Sequence, residues 1–129
     1  ILIMELEFDS KLLRIFIGEI DKLEHQPLYE AILFEARKRG MAGCTVLRGM
    51  MSFGASAHIH TAKLIEISQN LPVVLEIIDH EEKISAFAEV VGQMLEQTDC
   101  GGLVTVEKAG VLNYRSRSLK KNDDAKHNE

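Results

Sequence analysis

Apolar positions recur along this chain in two rhythms, and the rhythms predict its elements. From Lys11 to Ile20, Leu13, Ile15 and Ile17 point one way while Leu12, Arg14 and Phe16 point the other, the period of a strand. From about Pro27 to Arg39 the spacing turns helical, with Leu28, Tyr29, Ile32, Leu33 and Ala36 on one stripe and Phe34 on the far side. Gly40 stops that helix, and Lys38 and Arg39 suit the negative end of its dipole. Cys44 to Met50 reads as a second strand. His58 to Ile67 fits either a short helix or a strand arm. Val73, Leu75 and Ile77 alternate with Val74, Glu76 and Ile78 in a third strand, with Pro72 at its start, where a missing N–H is tolerated.

Asp79 and Glu82 have the spacing of a capping box. A second helix follows to about Glu96, with Ile84, Phe87, Ala88, Val91 and Leu95 as its inner stripe. Leu103 to Lys108 is the fourth strand, and Val111 to Tyr114 extends it or adds a last short one. The order is strand, helix, strand, strand, helix, strand. That is the α+β, ferredoxin-like β-α-β-β-α-β sandwich. Two helices cover one face of such a sheet, yet the strands are apolar on both. The second face therefore predicts contact with another subunit.

Residues 11–114 form the expected domain, residues 1–10 an extension with Met4 as a plausible start, and residues 115–129 a polar tail expected to be disordered. At 129 residues and 46% hydrophobic composition, one globular domain with a real core is expected. The net charge of -5, and an aromatic content of 5% without Trp, argue against nucleic acid as a partner. No apolar run reaches the ~20 residues of a membrane span, so membrane insertion is not expected. Cys44 and Cys100 are too few for a disulfide framework and read as thiols in a reducing compartment, which points to the cytoplasm.

The chemistry gathers around Gly40 to Gly54, where four of the nine glycines flank an apolar run holding one charge, Arg48. Its planar fork suits a phosphate or carboxylate, or else an inter-subunit ion pair with Glu76 or Asp79. Gly49 and Gly54, with Ala55, Ser56 and Ala57, give the Met50–His60 loop room to move, while Arg115 offers positive charge from the C-terminal side. His58 and His60 share one side of a strand and would ligate a divalent metal if a third ligand arrived. No nucleophile elbow, metalloprotease helix or phosphate-binding lysine loop occurs, so no enzyme activity and no catalytic residue are expected. Glu76 and Asp79 would face opposite sides of a strand, which rules against a carboxylate pair.

Leu28-Tyr-Glu-Ala, Gly40-Met-Ala-Gly-Cys-Thr-Val-Leu-Arg-Gly49, Phe53-Gly, His58-Ile-His-Thr61, Leu71-Pro-Val-Val74, Ile78-Asp79 and Gly102-Leu-Val-Thr105 closely resemble a family catalogued as domain of unknown function 190. The likeness runs from about Lys11 to Tyr114. That family resembles a branch of the PII (GlnB-like) signal-protein superfamily. The resemblance implies a homotrimer with a small-molecule site in each inter-subunit cleft, the effector often being an adenine nucleotide, and a mobile loop after the second strand that reports to a target protein. It also puts Thr98 to Thr105 at the loop that touches phosphates, where Gly101, Gly102 and Thr105 are the candidates and successive amides suit an anion. The glycine-and-lysine pattern of nucleotide-binding PII loops is not reproduced there, and the Met50–His60 loop has no tyrosine to modify.

Overall fold

The structure, a computed structural model, describes residues 9–53, 60–61 and 71–117. Its main sheet has four strands: β1 (Ser10–Gly18), β4 (Thr45–Arg48), β7 (Pro72–His80) and β8 (Leu103–Lys108). They lie in the order β4-β7-β1-β8, every neighbouring pair antiparallel. Two crossover helices, α1 (Leu28–Lys38) and α2 (Glu81–Glu96), complete the expected β-α-β-β-α-β order. Each β-α-β unit is split by a strand of the other: β7 lies between β1 and β4, and β1 between β7 and β8.

Strand alternation decides which side is core. Leu13, Ile15 and Ile17 of β1 and Val73, Leu75 and Ile77 of β7 are buried against Leu28, Ala31, Ile32 and Ala36 of α1 and Ile84, Phe87, Val91 and Met94 of α2. Each large side chain so buried contributes about 1.5–3 kcal/mol. Ala31 and Met94 join the expected stripes, while Tyr29, Leu33, Ala88 and Leu95 pack at their margins. Phe34 is exposed, on the far side of α1 as its position predicts.

Helix α1 closes through a Schellman pair: Met41 N–H donates to Ala36 C=O (3.0 Å) and Gly40 N–H to Arg37 C=O (3.1 Å). Gly40 supplies the left-handed φ of 72° that this closure needs. The capping box at Asp79 does not form. Strand β7 continues through His80, which is the N-cap of α2 and makes no side-chain cap. Asp79 is therefore still a strand residue, and it turns inward to the backbone before β4.

Other boundaries shift for similar reasons. Strand β1 ends at Gly18, whose N–H donates to Asp21 Oδ2 (2.7 Å). In the connection that follows, Lys22–Leu23 (β2) pairs with Gln26–Pro27 (β3). Strand β4 ends at Arg48: Gly49 N–H still donates to Pro72 C=O (2.7 Å), but Pro72 has no N–H to return the bond. Met51–Ser52 (β5) then pairs with His60–Thr61 (β6), which favours the strand arm over the helix for those two residues. Val111 to Tyr114 is not a strand, and β8 ends at Lys108. Most of the expected extension and tail lies outside the described residues, as do Gly54 and His58.

Candidate ligand-binding site

One end of the sheet holds Arg48. It sits in register with Val73, whose side chain is buried on the helix side, whereas Glu76 lies on the opposite face. Within one chain Arg48 therefore does not meet Glu76 or Asp79. Its Nη2 donates to Glu19 Oε2 of the same chain, and the Arg48 side chain is 61% exposed. Glu19 is held in place by its own N–H, which donates to Leu71 C=O (2.8 Å). Gly49 is required here: a Cβ would stand 2.7 Å from Pro72 Cγ.

Gly101 and Gly102 lie at the same end, on the other edge, because Leu103 pairs with Phe16 near the end of β1. Three strand spacings, about 14 Å, separate that edge from β4. Both glycines are exposed, and neither has the left-handed φ of an alternating anion nest. What they offer is open backbone without bulk. Gly102 packs on Leu95 Cδ2 at 3.3 Å from where a Cβ would be. The preceding turn is tied by the Thr98 hydroxyl, which donates to Leu95 C=O (2.8 Å) and accepts Cys100 N–H (3.1 Å).

The other candidates scatter. Thr105 is mid-strand, opposite Arg14, on the face away from the helices. Arg115 is exposed and follows Tyr114 at the opposite end of the sheet. His60 is a residue of β6, and His58 is not among the described residues. Among the described residues no group of three or more His, Cys, Asp or Glu could hold a metal ion. Within one chain, then, the described candidate residues do not converge on one pocket.

Two features escape the sequence reading. The face away from the helices carries a polar row, Thr105, Arg14, Glu76 and Thr45, running across all four strands. Leu103, Phe16, Val74 and Leu47 make an apolar row on one side of it, and Leu12 and Ile78 lie on the other. Arg14 Nε donates to Glu76 Oε2 (2.9 Å) and Nη1 to Glu107 Oε1 (2.5 Å). The hydrogen bond to Glu76, with both negative charges close by, holds the Arg14 guanidinium above its ordinary pKa. The signal was present: Arg14, like Arg48, is a charge inside an apolar strand.

The second feature is a cavity of about 290 Å³ at the end remote from Arg48. It is lined by Ala42 to Thr45, Glu76 and Ile78 on one side and by Val111, Asn113 and Tyr114 on the other. The Ala42 backbone is held on both sides: its N–H donates to Asp79 Oδ2 (2.8 Å), and its C=O accepts from Tyr114 Oη (2.8 Å). Asp79 is buried and also accepts His80 N–H (2.7 Å), while Lys83 Nζ donates to Gly40 C=O (2.5 Å). Burial pushes the Cys44 thiol up to about 11, so it is protonated at neutral pH and not a nucleophile.

Comparison with known proteins agrees with this architecture. A UPF0166 protein of Aquifex aeolicus (strain VF5) is 40% identical over 103 residues, covering 80% of this chain and 93% of that protein. A UPF0166 protein of Methanocaldococcus jannaschii is 30% identical over 97 residues, 75% of this chain and 86% of its own length. Among solved structures, CPII, a nitrogen regulatory PII-like protein from Thiomonas intermedia bound to ADP, AMP and bicarbonate, superposes with a TM-score of 0.55 at 16% identity, over 78% of this chain and 88% of CPII. The designed protein Foldit4 superposes with a TM-score of 0.50 at 14% identity, over 78% of this chain and 98% of its own, a reminder that the fold alone carries no activity. The fold is PII-like. The profile of the DUF190 family, described as an uncharacterized ACR, matches residues 10–111, and the chain belongs to that family.

Proposed function

We propose that this protein is a PII-like, non-enzymatic regulator: a homotrimer that takes a small anionic effector, first of all an adenine nucleotide, in the clefts between its subunits. The observation that carries the reading is the placement of Arg48 and the Gly101–Gly102 backbone on opposite edges of the same end of the sheet. A closed ring of three uses heterologous contacts between two different patches of each copy, and the arrangement we infer sets the β4 edge of one against the β8 edge of the next. Such a ring brings the guanidinium of one subunit to the open glycine backbone of its neighbour. The apolar rows of the open face supply the contact, and CPII, which shares the fold, is bound to ADP and AMP.

Glu19 gives the site its threshold. An incoming phosphate must displace this carboxylate from Arg48, and the exchange favours ligands that offer the fork two oxygens and more than one negative charge. The chain beyond Arg48 exposes Met50, Met51 and Phe53, apolar groups a target protein could read when the loop is ordered.

The test is a thermal-shift and calorimetric screen of the purified protein with ATP, ADP, AMP and cyclic dinucleotides. A ligand at a hundredfold excess over its Kd stabilises the native state by ~2.7 kcal/mol. Binding abolished by Arg48→Ala and tightened by Glu19→Gln supports the reading. No stabilisation by any nucleotide or anionic metabolite at saturation removes it.

A further inference from the structure

The outer surface of the helix layer belongs neither to the open sheet face nor to the Arg48 end. Helices α1 and α2 follow antiparallel strands, so they run in opposite directions. Lys83 Nζ, in the first turn of α2, donates to Gly40 C=O just past the end of α1. The end of one helix therefore lies level with the start of the other. From that common baseline each residue adds about 1.5 Å of height.

Each helix turns one ridge outward. On α1 it is Glu30, Phe34, Arg37 and Lys38, three and four residues apart, with Phe34 49% exposed. On α2 it is Glu82, Ala86, Glu89 and Gln93, all exposed. Arg37, Lys38, Glu82 and Glu89 form no ion pair among the described residues. One ridge is thus a large aromatic beside two uncommitted cations. The other is a small residue between two uncommitted carboxylates. Their heights agree: Phe34 and Ala86 stand about 6 and 7.5 Å above the baseline, and Lys38 and Glu82 within about 1.5 Å of it.

We propose that the helix layer is a self-complementary surface on which a second copy of this chain docks, about a twofold axis parallel to the helices. Such an axis lays α1 of each copy over α2 of the other and keeps every residue at its own height. Phe34 of each copy then covers Ala86 of the other, and Lys38, with Arg37 beside it, meets Glu82. Both halves of the match lie on this chain, which makes a second copy the occupant. Glu30 and Glu89 also share a height, about 12 Å, and as like charges they keep the contact weak. The outer faces of two short helices cover less than the ~1,000 Å² of a stable interface, so the pairing is transient. It needs no part of the open sheet face and stands apart from the effector reading.

The test is sedimentation velocity of the full chain over a range of concentrations, in wild type and in Phe16→Glu, whose open face is spoiled. Phe16→Glu should show a monomer–dimer equilibrium that weakens in about 1 M NaCl, where the Debye length falls to about 3 Å. Adding Phe34→Ser, a change at an exposed position, should abolish that pairing while the circular dichroism stays the same. Lys38→Glu should weaken it by about threefold to tenfold, each reversal counting twice under the axis. Lys38→Glu together with Glu82→Lys should restore it. A wild type that pairs without forming a ring supports this contact and removes the ring. The proposal is overturned if Phe16→Glu stays monomeric at every concentration, if Phe34→Ser leaves pairing intact, or if the double reversal pairs no better than the single one.

Discussion

The two faces of the sheet are built from the same strands and differ in one respect. The helix side is apolar through its centre, with Leu13, Ile15, Leu75 and Ile77 wholly buried and its charges, Arg48 and Asp79 among them, near the strand ends. The other side interrupts its apolar rows with Arg14, Glu76 and two threonines. Apolar packing alone tolerates slippage, whereas a charge must meet its partner in one register. The first face is thus suited to holding the chain folded; on the second, Arg14 bonds Glu76 and Glu107 of the same chain, which fixes strand register and leaves the apolar rows for the neighbouring copy we propose.

Substitutions can break that contrast. Leu75→Ala removes a fully buried side chain and should cost about 2–5 kcal/mol in denaturant unfolding. Phe16→Glu, on the open face, should leave the circular dichroism unchanged yet release monomer in sedimentation, a loss of about 2 kcal/mol or more in association. If the Phe16 variant unfolds like the Leu75 one, the two faces are not separate in role. Asp79→Ala leaves the Ala42 and His80 N–H groups without their carboxylate and should cost about 1–3 kcal/mol, seen as faster amide exchange at Ala42. Gly49→Ala forces a Cβ onto Pro72 and should cost about 1–3 kcal/mol.

The smallest effect is one of pH. Cys44 is raised in the folded protein from 9.0 to about 11 by burial, so the native state keeps a proton that the unfolded chain gives up first. Its contribution is complete below pH 9 and is lost as pH rises through about 11. Unfolding curves of Cys44→Ala should therefore fall less steeply than wild type across that window. Parallel curves would show that the thiol is not desolvated.

The fold was legible because its signals are local. Alternation in Leu12–Ile17 and Val73–Ile78, and the helical spacing of Ile84, Phe87 and Val91, each lie within one element. The apolar second face was legible for the same reason. What stayed hidden depends on pairing between distant segments. Nothing near Glu19 announces that it meets Arg48, and nothing near Asp79 says that β7 runs one residue too far for a cap. The cavity was the least legible part, since Tyr114 and Ala42 are joined only by the route the chain takes after β8.

The interleaving of the two β-α-β units has a consequence for how the molecule comes into being. Strand β1 finds its neighbours only in β7 and β8, more than fifty residues further on. Neither β-α-β unit pairs its own two strands, so β1 stays unpaired until β7, which ends at His80, has left the ribosome. Topologies dominated by such distant contacts fold slowly, in about milliseconds to seconds. During that wait the apolar sides of β1 are open to the chains of neighbouring ribosomes on the same message. A protein that assembles with its own copies through that strand would therefore meet its partners and its hazards in the same place.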